Sequence, residues 1–199
     1  MQASVIIITA YLLGCISTGY YLVLAITGQD IRKHASGNSG SRNAGRLLGR
    51  RGFLLTLLGD SGKGLLAVYL ASRLDGSQLL ATASLAAVTA GHIWPLQLRF
   101  RGGKGFATFA GGMLLLNPQL LLAGALLCII LYPIIGGSTR CGLLALAVTP
   151  LLLAAHCLHS GKSLLTGEFA LFCLLVATIL FAHRSNIRKE LIYSATPEG

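Results

Sequence analysis

Apolar residues gather in seven runs along this chain, at about Val5–Thr27, Phe53–Ser72, Leu79–Leu98, Phe106–Leu116, Gln119–Ile135, Cys141–Leu158 and Leu164–Ala182. Between them lie short segments rich in Gly, Ser, Asn, Arg and Lys. The hydrocarbon core of a bilayer takes about 20 apolar residues per crossing. The pattern therefore predicts an all-α integral membrane protein with seven transmembrane helices, in one domain over residues 1–199. Phe106–Leu116 is short for an upright crossing, which suggests tilt, local thinning of the bilayer or a re-entrant path. Its flanks, Gly102-Gly103-Lys104-Gly105 and Asn117-Pro118, suit a helix start and a helix stop.

Composition narrows the class. Hydrophobic residues make up 54% of the 199 and charged residues only 11%, and mean hydropathy is +0.72. Soluble domains carry about 25% charged residues and disordered chains have low hydrophobicity, so both are excluded. Five cysteines, an odd number with no CxxC pair, all sit in or beside apolar runs. They read as small unpaired hydrophobes. The first run has no basic segment before it and no clear cleavage site, so it reads as a retained span.

The net charge is +10, from 16 Lys+Arg against 6 Asp+Glu. In a soluble protein that would point to nucleic acid; here it sets orientation. The segments Gln29–Gly52, Arg99–Lys104, Gly136–Arg140 and His183–Gly199 hold all the cations except Arg73 and Lys162, on the opposite side, and Lys63, inside a run. Cytoplasmic loops carry such an excess. The N-terminus is thus expected outside and the C-terminus in the cytoplasm, with an odd number of crossings. No nucleic-acid partner is expected.

Three polar segments carry candidate chemistry on that face. The first is Ser36-Gly-Asn-Ser-Gly-Ser-Arg-Asn-Ala-Gly-Arg46. Its glycines let backbone N–H groups form an anion nest, and its Ser, Asn and Arg side chains donate to phosphate. It also reads as a solvated, turn-rich loop. The second runs from Gly91-His92 through Trp94-Pro95 to Gly102-Gly103-Lys104-Gly105 and Thr108. It offers free N–H groups and a lysine at the positive end of a helix. The alternative is a hinge with a snorkelling lysine. It is not a Walker A loop, because Gly105 rather than Ser or Thr follows Lys104. The third is His183-Arg-Ser-Asn186, whose His and Asn share a helical face if the helix continues.

Within the runs, Asp60 and Lys63 stand three apart and suggest an ion pair, with a structural or a direct role. His92 is a satisfied interior histidine or a site residue. His156, Cys157 and His159 lack a fourth ligand, so no zinc site is expected. The polar loops contain no Ser-His-Asp order and no paired carboxylates. Together they form a donor-rich, carboxylate-poor surface suited to phosphate.

These motifs, Ser36-Gly-Asn-x-Gly-x-x-Asn43-x-x-Arg46, Gly91-His-x-x-Pro95 leading to Phe100-x-Gly-Gly-Lys-Gly105-x-Ala-Thr108, and His183-x-x-Asn186, resemble those of the acyl-phosphate-dependent glycerol-3-phosphate acyltransferases of bacteria, the PlsY family. The resemblance covers nearly the whole chain, including its seven runs. It implies a multi-pass enzyme of the bacterial inner membrane with its active site on the cytoplasmic face. The enzyme would transfer a fatty acyl group from acyl phosphate to the 1-hydroxyl of glycerol 3-phosphate. Lysophosphatidic acid and phosphate would result, in phospholipid biosynthesis. No metal or redox cofactor is implied; the expected partners are the two substrates and membrane lipids, with no obligate protein partner.

Carried onto this chain, the resemblance implies Ser36, Arg46, Lys104, His183 and Asn186 as catalytic residues. Gly37, Asn38, Gly40, Asn43, His92, Gly102, Gly103, Gly105, Thr108 and Ser138 would bind substrate. Two positions depart from the family pattern: Arg42 stands where the family usually has Thr, and Arg140 where an apolar residue is usual. They are plain inside-positive charges or they recognise a more anionic substrate. A paralogous acyltransferase with another acceptor is therefore the rival enzyme reading, and an anion or lipid transporter the rival outside enzymes. The hydroxyl proton has two candidate acceptors, a donor phosphate oxygen or His183.

Overall fold

A computed structural model describes residues 2–188, and the regular structure in them is helical. Among the described residues the helices are α1 (Gln2–Cys15), α2 (Thr18–Thr27), α3 (Ser41–Leu74), α4 (Gln78–Ile93), α5 (Phe106–Leu116), α6 (Pro118–Ile135), α7 (Ser138–His159) and α8 (Gly167–Ala182). Short 3₁₀ turns lie at Ile31–Lys33 and Leu96–Leu98. Every apolar run is thus mainly helical. Among the described residues five stretches are long and apolar enough to cross a bilayer: Gln2–Thr27, Ser41–Leu74, Gln78–Leu98, Pro118–Ile135 and Ser138–His159. Phe106–Leu116 and Gly167–Ala182 are apolar but shorter. Val5, Ile8, Leu12, Leu58, Ile129 and Leu151 are each more than half exposed, an outer surface suited to lipid.

The helix ends follow the local chemistry. Asn117 caps α6, accepting the Leu120 N–H at 2.9 Å ahead of Pro118 at the first helical position. Thr166 caps α8 through the Phe169 N–H. Gly28 closes α2 in the left-handed region. These are the usual devices for satisfying terminal backbone groups.

Two elements differ from the pattern of runs. The first run is broken at Ile16-Ser17, between α1 and α2. The polar segment Gln29–Gly52 is helical from Ser41 onward rather than a loop, so Arg42, Asn43 and Arg46 stand on a helix. At 1.5 Å per residue a straight helix of 34 residues would overrun the bilayer core of about 30 Å. Instead α3 is two limbs joined at Gly49, whose φ of 67° and ψ of −158° are not helical. A side chain there would be strained. The short limb lies back on the long one: a Cβ on Gly52 would stand 2.8 Å from the Ala44 carbonyl oxygen.

The chain divides into two compact units, Met1–Leu116 and Asn117–Gly199. In the first, α1 packs on α4 and α3 packs on α4 and α5. The backbones meet at small residues. Gly14 lies against the Val88 carbonyl, Gly91 against that of Tyr11, and Gly64 against that of Thr108. Lipid tails are as apolar as leucine, so helices in membranes associate through such close packing. In the second unit α7 packs against both α6 and α8.

Candidate active site

The first polar segment is ordered by two asparagines. The Asn43 side chain is fully buried. Its amide donates to the carbonyls of Ile31 (3.0 Å), His34 (3.1 Å) and Asn38 (2.8 Å). An amide has two hydrogens, so one is shared among these acceptors. Its oxygen accepts the Ser36 N–H at 3.4 Å. The Asn38 oxygen accepts the Gly40 N–H, and its amide donates to Ser36 Oγ. Asn43, expected as a substrate donor, thus has its amide hydrogens committed to shaping the loop. Ser36 and Gly37 are exposed at the loop's crest. Arg46 and Arg42 are exposed on the short limb of α3. Below the crest, buried Ser17 donates to buried Ser39 at 2.6 Å, which ties the loop to the break between α1 and α2.

Arg32 joins this segment to the second one. Its guanidinium is paired with Asp30 at 2.7 Å, lies 5.0 Å from the Tyr20 ring centre, and donates to the Leu98 carbonyl at 2.7 Å. The hydrogen bond from Arg32 to the Asp30 carboxylate, a group that favours the charged form, holds that carboxyl below its ordinary range.

The second segment folds back along the end of α4. Gly102 donates to the Ile93 carbonyl at 3.1 Å and Gly103 to the His92 carbonyl at 3.0 Å. These two N–H groups, expected to be free for phosphate, instead satisfy terminal carbonyls of α4. Glycine is required at both positions by close approach. A Cβ on Gly102 would collide with the His92 carbonyl oxygen, and one on Gly103 with His92 Nε2. Gly105 has a φ of 85° and supplies the first carbonyl of α5, accepting from Phe109 at 2.8 Å. Lys104 is half-buried between them, one residue before Gly105 at the positive end of α5. Thr108 is fully buried in the α3–α5 contact.

Behind these loops lies a buried charged cluster. Asp60 is 1% exposed, Lys63 6% and His92 3%. The Lys63–Asp60 pair expected from their spacing is present, at 3.1 Å. Lys63 Nζ also donates to the carbonyls of Gly14 (3.0 Å) and Ile16 (2.7 Å) and meets His92 Nδ1 at 2.8 Å. An ammonium has only donors, so Nδ1 accepts and the ring proton sits on Nε2. Gln97 completes the break in the first run, donating to the Cys15 carbonyl at 2.5 Å. Removing one partner of such a buried pair costs about 3–5 kcal/mol.

The remaining expected residues belong to the second unit. Ser138 is exposed and Arg140 half-buried in the first turn of α7. His183 is buried at the end of α8. Its Nδ1 lies 2.9 Å from the Ile179 carbonyl oxygen. A carbonyl only accepts, so Nδ1 carries a proton. The half-buried Asn186 donates its backbone N–H to the His183 carbonyl at 2.8 Å, so the two residues share one turn.

Within the first unit the structure therefore links the first and second segments through Arg32 and places Asp60, Lys63 and His92 at one point. The joining of His92 to the charged pair, and the parts played by Arg32, Ser17, Ser39 and Gln97, escaped the sequence reading. The adjacent opposite charges of Asp30 and Arg32 were the one local signal available.

The family described as glycerol-3-phosphate acyltransferase matches residues 4–192. Over 185 residues the chain is 43% identical to glycerol-3-phosphate acyltransferase 1 of Desulfitobacterium hafniense (strain Y51), covering 93% of this chain and 89% of that one. It is 39% identical to the glycerol-3-phosphate acyltransferase of Clostridioides difficile (strain 630), covering 94% and 91%. Among solved structures it is similar to PlsY, described as an integral membrane glycerol 3-phosphate acyltransferase, in its glycerol 3-phosphate form. The TM-score is 0.84 at 27% identity, over 100% of this chain and 96% of that one.

Proposed function

The chain belongs to the glycerol-3-phosphate acyltransferase family, and we propose that this multi-pass membrane enzyme takes its acyl group from acyl phosphate. The 1-hydroxyl oxygen of sn-glycerol 3-phosphate attacks the acyl carbonyl carbon, and the bond from that carbon to the phosphate oxygen breaks. The products are lysophosphatidic acid and inorganic phosphate. Acyl phosphate is an activated mixed anhydride, so orientation and charge stabilisation suffice without a covalent acyl-enzyme or a cofactor.

In this reading both units form one domain. Seven crossings put the N-terminus outside and the C-terminus in the cytoplasm, so the site faces the cytoplasm of a bacterial inner membrane. The lopsided cations of the polar segments support that orientation. Lys104 and Arg46 bind the phosphates, with Arg42 adding charge on the same helix limb as Arg46. Ser36 and Asn38 present side-chain donors from the loop that Asn43 holds, and Gly37 and Gly40, whose N–H groups are taken by the His34 carbonyl and by Asn38, shape it. Gly102, Gly103, Gly105 and Thr108 shape the seat of Lys104 on α5, with His92 behind it. In the second unit the family resemblance assigns Ser138, His183 and Asn186 to substrate. His183 is one candidate acceptor of the hydroxyl proton, and the donor's own phosphate oxygen is the other.

The observation that carries the reading is a family match spanning all three polar motifs, residues 36–46, 91–108 and 183–186, in one chain. Transport and another acceptor are not favoured by it. The test is incubation of the purified protein with glycerol 3-phosphate and palmitoyl phosphate. Lysophosphatidic acid and phosphate in equal amounts are expected; the absence of both overturns the proposal.

A further inference from the structure

Lys63 lies inside α3 and belongs to none of the polar segments, yet it touches His92 of the second one directly and leads to the first through the break at Ile16-Ser17. On one side its ammonium binds the carbonyls of Gly14 and Ile16 at 3.0 and 2.7 Å. These are groups that α1 leaves unsatisfied where it breaks. The next residue, Ser17, donates to Ser39 in the first segment at 2.6 Å. Gly19, in the first turn of α2, lies directly against the Ser39 carbonyl. The break that Lys63 stabilises is thus the floor on which the 36–40 loop rests.

On the other side the ammonium fixes the His92 ring through Nδ1 at 2.8 Å. The opposite edge of that ring, Nε2, is the surface on which Gly103 sits without room for a Cβ. The His92 carbonyl holds the Gly103 N–H at 3.0 Å. Lys104 follows in the chain, so its backbone position is set by the imidazole, which in turn is set by Lys63. The three hydrogens of Nζ are directed at Gly14, Ile16 and His92, and Asp60 Oδ1 at 3.1 Å balances the charge with no donor aimed at it.

We propose that Lys63 is a positioning residue that holds the 36–40 and 102–105 segments in a common register, with Asp60 as its counter-charge and His92 as its arm to Gly103. The proposal rests on the reading that those segments bind the two substrates, and it assigns Lys63 no contact with either. A neutral methylene chain at 63 would leave the break carbonyls and the imidazole without their shared donor. Both segments would then loosen together, although 61 residues of chain and two helices separate them in sequence.

The test compares the full-length protein in lipid nanodiscs with the charge-neutral double variant Asp60→Asn/Lys63→Gln and with His92→Asn and His92→Leu. Asparagine keeps an acceptor near the place of Nδ1; leucine does not. Amide hydrogen exchange is read by mass spectrometry without substrate, so this arm does not depend on the enzymatic reading. In the double variant exchange rises at least tenfold in residues 36–40 and 102–105 together, while α6–α8 are unchanged. In parallel, KM for glycerol 3-phosphate rises about tenfold in the double variant and in His92→Leu, and kcat changes less than threefold. KM rises less in His92→Asn than in His92→Leu, because asparagine restores an acceptor for Lys63. Loosening of one segment alone, or of neither, overturns the proposal. So does a wild-type KM in both the double variant and His92→Leu, or a general rise in exchange across all helices. If the wild type itself makes no lysophosphatidic acid, the enzymatic reading fails and the exchange result still decides the coupling.

Discussion

The Arg32 guanidinium donates to the Leu98 carbonyl at 2.7 Å, across 66 positions of sequence. The same side chain is paired with Asp30. This pair fastens the segment before Ser36 to the segment before Lys104. Because the Asp30 carboxyl is held below its ordinary value by Arg32, its contribution to stability is full above the unfolded carboxyl value of about 3.9. It is lost as pH falls through the lower folded value. Asp30→Asn is expected to lower thermal stability by a constant amount, at most about 1 kcal/mol for this partly exposed pair, from pH 5 to 8. The difference from wild type should shrink below pH 4. Melting curves in detergent at several pH values check it; a difference that grows on acidification contradicts the assignment.

Asn43 is expected to act on stability more than on chemistry. Asn43→Ala leaves the carbonyls of Ile31, His34 and Asn38 without their buried donor. An unsatisfied buried group costs about 1–3 kcal/mol, so a loss of about 2–4 kcal/mol is expected after partial relaxation. Asn43→Asp fails as well, because a carboxylate only accepts. Chemical denaturation of both variants is the measurement, and wild-type stability in either contradicts the role.

Lys104→Ala removes the cation at the start of α5. Losing one preorganised group of this kind costs about 10²–10³ in rate, so kcat/KM for glycerol 3-phosphate is expected to fall at least 100-fold with the melting temperature nearly unchanged. Wild-type turnover in this variant removes Lys104 from the site.

His183→Gln separates the two proton acceptors. If His183 is the base, activity falls 10²–10⁴-fold, the range for general catalysis, and the acid limb of the pH profile disappears. If a donor phosphate oxygen takes the proton, the loss stays under tenfold and the limb persists. A pH–rate profile of kcat for both proteins distinguishes them.

Much of the helical layout was legible because lipid demands long apolar segments, and the start of α5 at Phe106 followed from the glycines and lysine before it. The Asp60–Lys63 pair was legible too, since both charges lie one turn apart in an apolar run. Three features were not. The short limb of α3 looked like a loop because its residues are polar and its cap is Gly40, whose side chain offers no acceptor. The break at Ile16-Ser17 lacks proline, and its carbonyls are satisfied by Lys63 and Gln97 from distant helices. The glycines at 102 and 103 were read for their N–H groups, whereas their missing Cβ atoms matter most. Which carbonyls and ring they face depends on how the chain returns along α4, a tertiary fact with no local signature. For the same reason no spacing announced that His92 would join a pair 29 residues away.

The central claim is that the acyl donor is an acyl phosphate and the acceptor glycerol 3-phosphate. The most direct measurement supplies one preparation of purified protein with glycerol 3-phosphate and, in separate reactions, palmitoyl phosphate, palmitoyl-CoA and palmitoyl-acyl carrier protein. Lysophosphatidic acid and released phosphate are quantified in each. The account expects product from palmitoyl phosphate alone, with one phosphate released per acyl group transferred. Product from either thioester but none from palmitoyl phosphate would contradict it.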